Sequence, residues 1–517
     1  MNYRVFSDNE WVYPDSALHG AAEAELHAAR GGDVCFQLLA DHALQAGEHV
    51  GFALPLAGCT VEPYQLLPAY VSENSGVKTH TTTDYEEVKH FVTRKAPFWV
   101  YEVTKPVEDG IEEGRAAFFL RINVALDAPA GTYKTALSVT LGEEKLTVPV
   151  SLRIYNTQIP ALKDASYHMI NWLYYDTLAK QHKVEVYSAE YMEVVRNYLK
   201  NQLDMRNDYL MIPAGEPVRD ANGRVVDFDF THAEMVGKMA LEMGFSYVLG
   251  GFSIFWKEWK SPDLFLLWDE DVEVKSIEGF RQLKLYFTRA RESVERNGWE
   301  GRYMQCLMDE PQFNNSAAYR IVAGICRKCI PGVKINDPVE STDLGGALDV
   351  WVVKQAVYEK YLEDYKALQA MGEEIWIYTC GFPANKVMNR VIDLPLVASR
   401  LPMWMCYKYG CPGFLHWGYH CHNEEERADT CYKVRDRRFP AGNAHVVYLA
   451  DKGPIYGVRG HSQRTGAEDY ELLHLLGQRD PAAALAIVER VCRSFDDYEP
   501  DAAALDNARR ALLEALG

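Results

Sequence analysis

From about residue 164 to residue 420 the chain keeps one rhythm: a short apolar run, then a stretch with helical spacing, repeated about eight times. The apolar runs are Tyr167–Leu173, Tyr209–Pro213, Tyr247–Gly251, Tyr303–Met308, Lys334–Asp337, Asp349–Val353, Glu374–Cys380 and Gly413–Tyr419. Helical spacing fills Ala189–Met205, His232–Met243, Ile277–Arg296, Ala317–Cys329, Tyr358–Met371 and Leu394–Cys406. Strands separated by helices pair in parallel, because parallel neighbours need a long crossover. Eight such units in roughly 260 residues match a (β/α)8 barrel. An open doubly wound sheet is the rival, but the first strand lacks the glycine-rich phosphate turn such sheets carry.

With 517 residues the chain has room for more than the barrel, and two or three domains are expected. Residues 1–160 read as a β-sandwich. Ala116–Val124, Thr132–Leu141 and Leu146–Tyr155 alternate apolar and polar positions, with turns at Asp127–Gly131 and Gly142–Glu144. Residues 161–425 form the expected α/β barrel, of the TIM type. Residues 426–517 read as a mixed, mainly helical extension packed on it, with strands at His445–Leu449 and Ile455–Val458 and helices over Ala467–Leu476 and Pro481–Leu516.

The balance of 54 basic against 73 acidic residues, a net charge of −19, argues against a nucleic-acid or anionic-membrane partner. No apolar run is long enough to span a bilayer, and the first residues lack the pattern of a secretory signal, so a cytoplasmic protein is expected. The 11 cysteines, an odd number, read as reduced thiols. Cys326 and Cys329 have half-motif spacing but no second pair, and sit in a helical stretch. No cofactor is called for.

Chemistry concentrates where strands end in polar or aromatic residues. The run Met304–Met308 stops at Asp309-Glu310-Pro311; Pro311 cannot continue a ladder, so both carboxylates fall at a strand tip. The structural alternative is a helix entry, with acids at its first turn. Asn171-Trp172, Asn336-Asp337, Trp351, Tyr378, His416-Trp417 and Tyr419 end or follow other strands. Two acids ringed by aromatic faces suit glycoside hydrolysis: one protonates the leaving oxygen while a second charge steadies an oxocarbenium-like transition state. His416, His420, Cys421 and His422 are zinc-ligand types, but their spacing matches no zinc motif and alternation sends Cys421 away from His420 and His422.

Three segments in order carry a family resemblance: Leu307–Pro311, Gly413–Tyr419, and Arg459 with Gly466–Glu471. Together they resemble the catalytic domain of glycoside hydrolase family 123 and its relatives, and Pro129–Tyr133 fits the β-sandwich that precedes it. The resemblance implies an exo-β-N-acetylgalactosaminidase that retains configuration by substrate-assisted catalysis, with a carbohydrate partner containing N-acetylhexosamine. Under it Glu310 is the general acid/base, protonated near neutrality, and Asp309 is the ionised group that holds the 2-acetamido nitrogen. Asn171, Trp172, Trp351, Tyr378, His416, Trp417 and Tyr419 are the expected sugar contacts, from their strand-tip positions, with Tyr378 donating to the acetamido carbonyl. Arg459 matches a basic position of the family's tail motif; it either reaches the site or pairs with Glu468 or Asp469. A glycosidase acting on a sugar without the acetamido group and a non-catalytic carbohydrate-binding barrel remain the alternatives.

Overall fold

Eight strands of the strand–helix region pair side by side in one sheet: β1 (His168–Asn171), β2 (Tyr209–Met211), β3 (Tyr247–Gly250), β4 (Tyr303–Gln305), β5 (Lys334–Val339), β6 (Val350–Lys354), β7 (Glu374–Thr379) and β8 (Gly413–His416). In this computed structural model, which describes residues 1–517, every neighbouring pair is parallel and the order is β1-β8-β7-β6-β5-β4-β3-β2. The two end strands meet as well: the Asp208 N–H, just before β2, donates to the Met169 carbonyl of β1 at 3.2 Å. The result is a nearly closed parallel barrel, as the alternation requires.

Side chains alternate between the barrel interior and the helix layer. Register places Val350, Val352 and Lys354 of β6 beside Glu374, Trp376 and Tyr378 of β7 on one face. Trp376 fills the lower interior, stacked 5.9 Å from His168 and edge-on to Tyr209 at 4.9 Å. Gly413 makes this possible: a Cβ there would lie 2.1 Å from the Trp376 ring. Among the outer helices, Ile277–Asn297 starts with the Ser276 hydroxyl accepting from Gly279 N–H and ends at left-handed Gly298. It buries Leu283, Phe287, Ala290 and Val294.

The barrel strands with their helices form one compact unit, residues 168–379 and 410–417. The other unit comprises residues 1–167, 380–409 and 418–517. The helical stretch after β7 and the whole C-terminal region thus belong with the N-terminal sheets, unlike the three consecutive blocks expected. That unit contains a seven-stranded and a four-stranded sheet. Side chains of both share one apolar cluster, among them Val34, Phe36, Phe118 and Leu120 from the larger and Leu137, Val139, Val148 and Leu152 from the smaller. The helix Val458–Arg479 runs longer than expected, and a small hairpin at Cys492–Ser494 and Asp497–Tyr498 interrupts the C-terminal helical run. All 11 cysteines are free thiols, and Cys326 and Cys329 are buried on the helix Ser316–Cys329. No helix is long and apolar enough to cross a membrane.

Candidate active site

Strand β4 ends at Gln305, and the next residues are pinned rather than free. The Asp337 carboxylate of β5 accepts from the Leu307 N–H at 2.9 Å and the Met308 N–H at 3.4 Å. The Tyr319 hydroxyl donates to the same carboxylate at 2.6 Å. This splint fixes the backbone that delivers Asp309 and Glu310. Glu310 itself has φ of +48°, a left-handed conformation that costs a non-glycine residue about 1 kcal/mol or more. Its N–H donates to Pro338 O at 3.1 Å, and Gln312 and Asn315 bond reciprocally just beyond, closing the turn into the next helix. The strain is held in place from both sides.

Glu310 is surrounded by donors. The Tyr378 hydroxyl donates to its carboxylate, and Lys354 Nζ lies 3.3 Å from the same oxygen. Lys354 also forms a closer ion pair with Glu340, the residue after β5, while Gln312 Nε2 spans Glu310 O at 3.2 Å and Glu340 Oε2 at 3.4 Å. Asp309 is exposed to solvent, although protein packs closely around it. Crowding and the adjacent negative charge of Glu310 push the Asp309 carboxyl up to about 8, with Lys354 pulling the other way. That direction is opposite to the ionised Asp309 expected from the sequence.

Among the other expected contacts, Tyr378 shares the interior face of the barrel with Lys354 and, by alternation, Trp417 follows Leu415 on that face. Trp417 is partly exposed. Trp172, just past β1, packs edge-on against Phe252 at 5.3 Å. Three others are turned away. Trp351 alternates to the helix-side face, is fully buried, and donates its indole N–H to Glu373 at 2.9 Å. Asn171 and His416 pair in register on that same outer face; Asn171 donates to Asn207 at 2.8 Å, and both are buried. Strand-tip position alone cannot separate the two faces, and parity does. Asn336 faces the interior and Asp337 the helices by the same rule.

Tyr419 and Arg459 belong to the other unit, where both are fully buried. Arg459 pairs with Glu102 at 2.8 Å, not with Glu468 or Asp469. Asp469 instead holds Arg400 at 2.7 Å and Arg509 at 2.9 Å, and Arg464 lies 3.4 Å from Glu468. The His422 and His445 rings lie 4.5 Å apart, tilted at 43°, in that unit, and no group of three or more His, Cys, Asp or Glu side chains is arranged to hold a metal ion.

Sequence reasoning missed Lys354, Glu340 and Trp256. Lys354 looks like the first residue of a helix, and only its place two residues beyond Val352 on the interior face marks it. Trp256 lies in the long segment after β3 and donates its indole N–H to Asp309 O at 3.3 Å. Trp259 packs edge-on against it at 4.9 Å and is 45% exposed. Asn314 and Asn315 side chains bond to Lys260 O and Ser261 O, fastening this aromatic segment to the residues that follow the acids.

A parallel barrel that delivers paired carboxyls and aromatic faces from its strand ends is the framework of a glycoside hydrolase. The model of the glycoside hydrolase 123 catalytic domain matches residues 172–476, more than half of the chain, and the chain belongs to that family. Its substrate is accordingly a carbohydrate. The fold resembles a family 123 glycoside hydrolase from Clostridium perfringens, solved in a study of glycolipid glycan hydrolysis, with a TM-score of 0.77 at 13% identity over 100% of this chain and 98% of that one. An endo-β-1,4-mannanase from Thermotoga petrophila aligns over 60% of this chain and 78% of its own at 11% identity, but its TM-score of 0.38 carries no weight. No curated relative matches in sequence.

Proposed function

We propose that this glycoside hydrolase is an exo-β-N-acetylgalactosaminidase that retains configuration, with the substrate's 2-acetamido group as nucleophile. We read its two N-terminal sheets as a β-sandwich that accompanies the barrel. The supporting observation is the adjacency of Asp309 and Glu310 on one pinned strand tip, with the Tyr378 hydroxyl already donated to Glu310.

The proton that Asp309 holds near neutrality moves when substrate binds. The acetamido N–H donates to Asp309 and favours its ionised form, so the proton passes to Glu310. Glu310 then gives it to the glycosidic oxygen as the acetamido carbonyl oxygen attacks C1. The C1–O bond breaks, its electron pair leaves with the protonated oxygen, and an oxazolinium ion forms. Tyr378 turns its hydroxyl to the acetamido oxygen, while Asp309 balances the positive charge that spreads to nitrogen. Water then enters; Glu310 takes its proton as its oxygen bonds to C1, and the acetamido C1–O bond breaks. Two inversions leave the β configuration. Trp172 and Trp417 supply aromatic faces for the sugar ring.

Two measurements test the mechanism. A thiazoline that mimics the oxazoline is expected to inhibit strongly and competitively, and proton NMR of the first-formed sugar should show the β anomer. Weak inhibition with turnover of a plain β-galactoside would favour a glycosidase with another nucleophile. An α first product would exclude retention altogether.

A further inference from the structure

Glu310 has a cationic neighbour that the two-acid scheme does not use. Lys354 Nζ stands 3.3 Å from Glu310 Oε1, pairs more closely with Glu340, and lies 5.7 Å from the Tyr378 ring centre. The lysine and both glutamates are mostly buried, with side chains only 11–15% exposed. A lysine fixed beside a general acid is double-edged. It steadies the carboxylate left after proton donation, but it also opposes the protonated form that must exist beforehand. Glu340 offsets that second effect by holding the same ammonium.

We propose that Lys354 and Glu340 are a positioning pair that balances the acid and base roles of Glu310. Lys354 receives the charge that develops on Glu310 as its proton leaves, and Glu340 tempers that lysine so that Glu310 can be protonated again. The inference rests on the assignment of Glu310 as acid/base. Gln312 ties the arrangement together, since its amide reaches both Glu310 O and Glu340 Oε2. The groups that face Glu310 are therefore Asp309, Lys354, Tyr378 and Gln312, with Glu340 acting through the lysine.

The test follows the titration of the acid pair in Lys354→Met, Glu340→Gln and the double variant. Carbon-13-labelled carboxyl signals of the free protein, assigned by difference from Glu310→Gln, report it without any substrate. The basic limb of kcat/KM on an aryl β-N-acetylgalactosaminide reports it during turnover. Removing Lys354 is expected to move the titration up, and removing Glu340 to move it down. A unit charge at this separation gives a shift of about one pH unit even at the dielectric constant of water. The double variant should lie between the two single variants, and Lys354→Arg should keep part of the normal profile. Shifts in the same direction, or none in folded variants, would overturn the proposal. Activity retained by Glu310→Gln would instead remove the assignment of Glu310, a separate and distinguishable failure.

Discussion

Replacing Tyr378 with Phe removes one oxygen from the site. The ring is 3% exposed on the interior face of β7, so its packing survives the change; what is lost is the hydroxyl that donates to Glu310. A hydrogen bond to a charged group is worth about 1.5–3 kcal/mol. In the proposed cycle that hydroxyl passes to the acetamido oxygen as charge develops there, so the loss is felt in the transition state. At 1.4 kcal/mol per decade, kcat/KM for an aryl β-N-acetylgalactosaminide should fall about 10- to 150-fold, mostly through kcat. Steady-state kinetics beside a thermal melt makes the assay, and the melting temperature should stay within a few degrees. A folded Tyr378→Phe protein within twofold of wild type would refute this role for the hydroxyl.

Gly413→Ala should cost about 1–3 kcal/mol of stability, because the new methyl would lie 2.1 Å from the Trp376 ring; equal denaturant midpoints would contradict the packing described. Arg459→Met should cost about 3–5 kcal/mol by leaving Glu102 buried without its partner, while KM in the surviving folded protein stays unchanged; an altered KM would bring Arg459 back to the site. Asp309 carries a folded-state value raised from 3.8 to about 8, so it contributes stability that is full below pH 3.8 and lost as pH rises through 8. Asp309→Asn should flatten the wild-type decline in stability between those limits, measured by urea midpoints across the range, and an unchanged slope would show that the proton resides elsewhere.

The barrel was legible because each strand is an apolar run bounded by helix and turn residues, and all eight runs read from the sequence overlap an observed strand, six of them containing it whole. The acids were legible for a related reason: Pro311 ends the run and leaves two charges where burial stops. What the sequence did not separate was the two faces of a strand tip. Trp351 and His416 stand in apolar runs just as Tyr378 does, yet a one-residue difference in parity sends them to the helix layer. Lys354 was passed over because a lysine after an apolar run is ordinarily a solvated helix start, and only its register with Tyr378 reveals an inward charge. Long-range partners were equally hidden. Arg459 lies near Glu468 and Asp469 in the chain, but pairs with Glu102, 357 residues away.

The division of labour between Asp309 and Glu310 is read from release of the aryl group from aryl β-N-acetylgalactosaminide by wild type, Asp309→Asn and Glu310→Gln. The glucosaminide and the plain galactoside serve as comparison substrates. Wild type should turn over the galactosaminide, with loss of at least about two decades in each folded variant. Asp309→Asn should lose rate even with the most activated aryl group, since the acetamido nitrogen is then unsupported. Glu310→Gln should lose least there, because such a leaving group needs little proton donation. Normal turnover by either folded variant would rule out that division of labour.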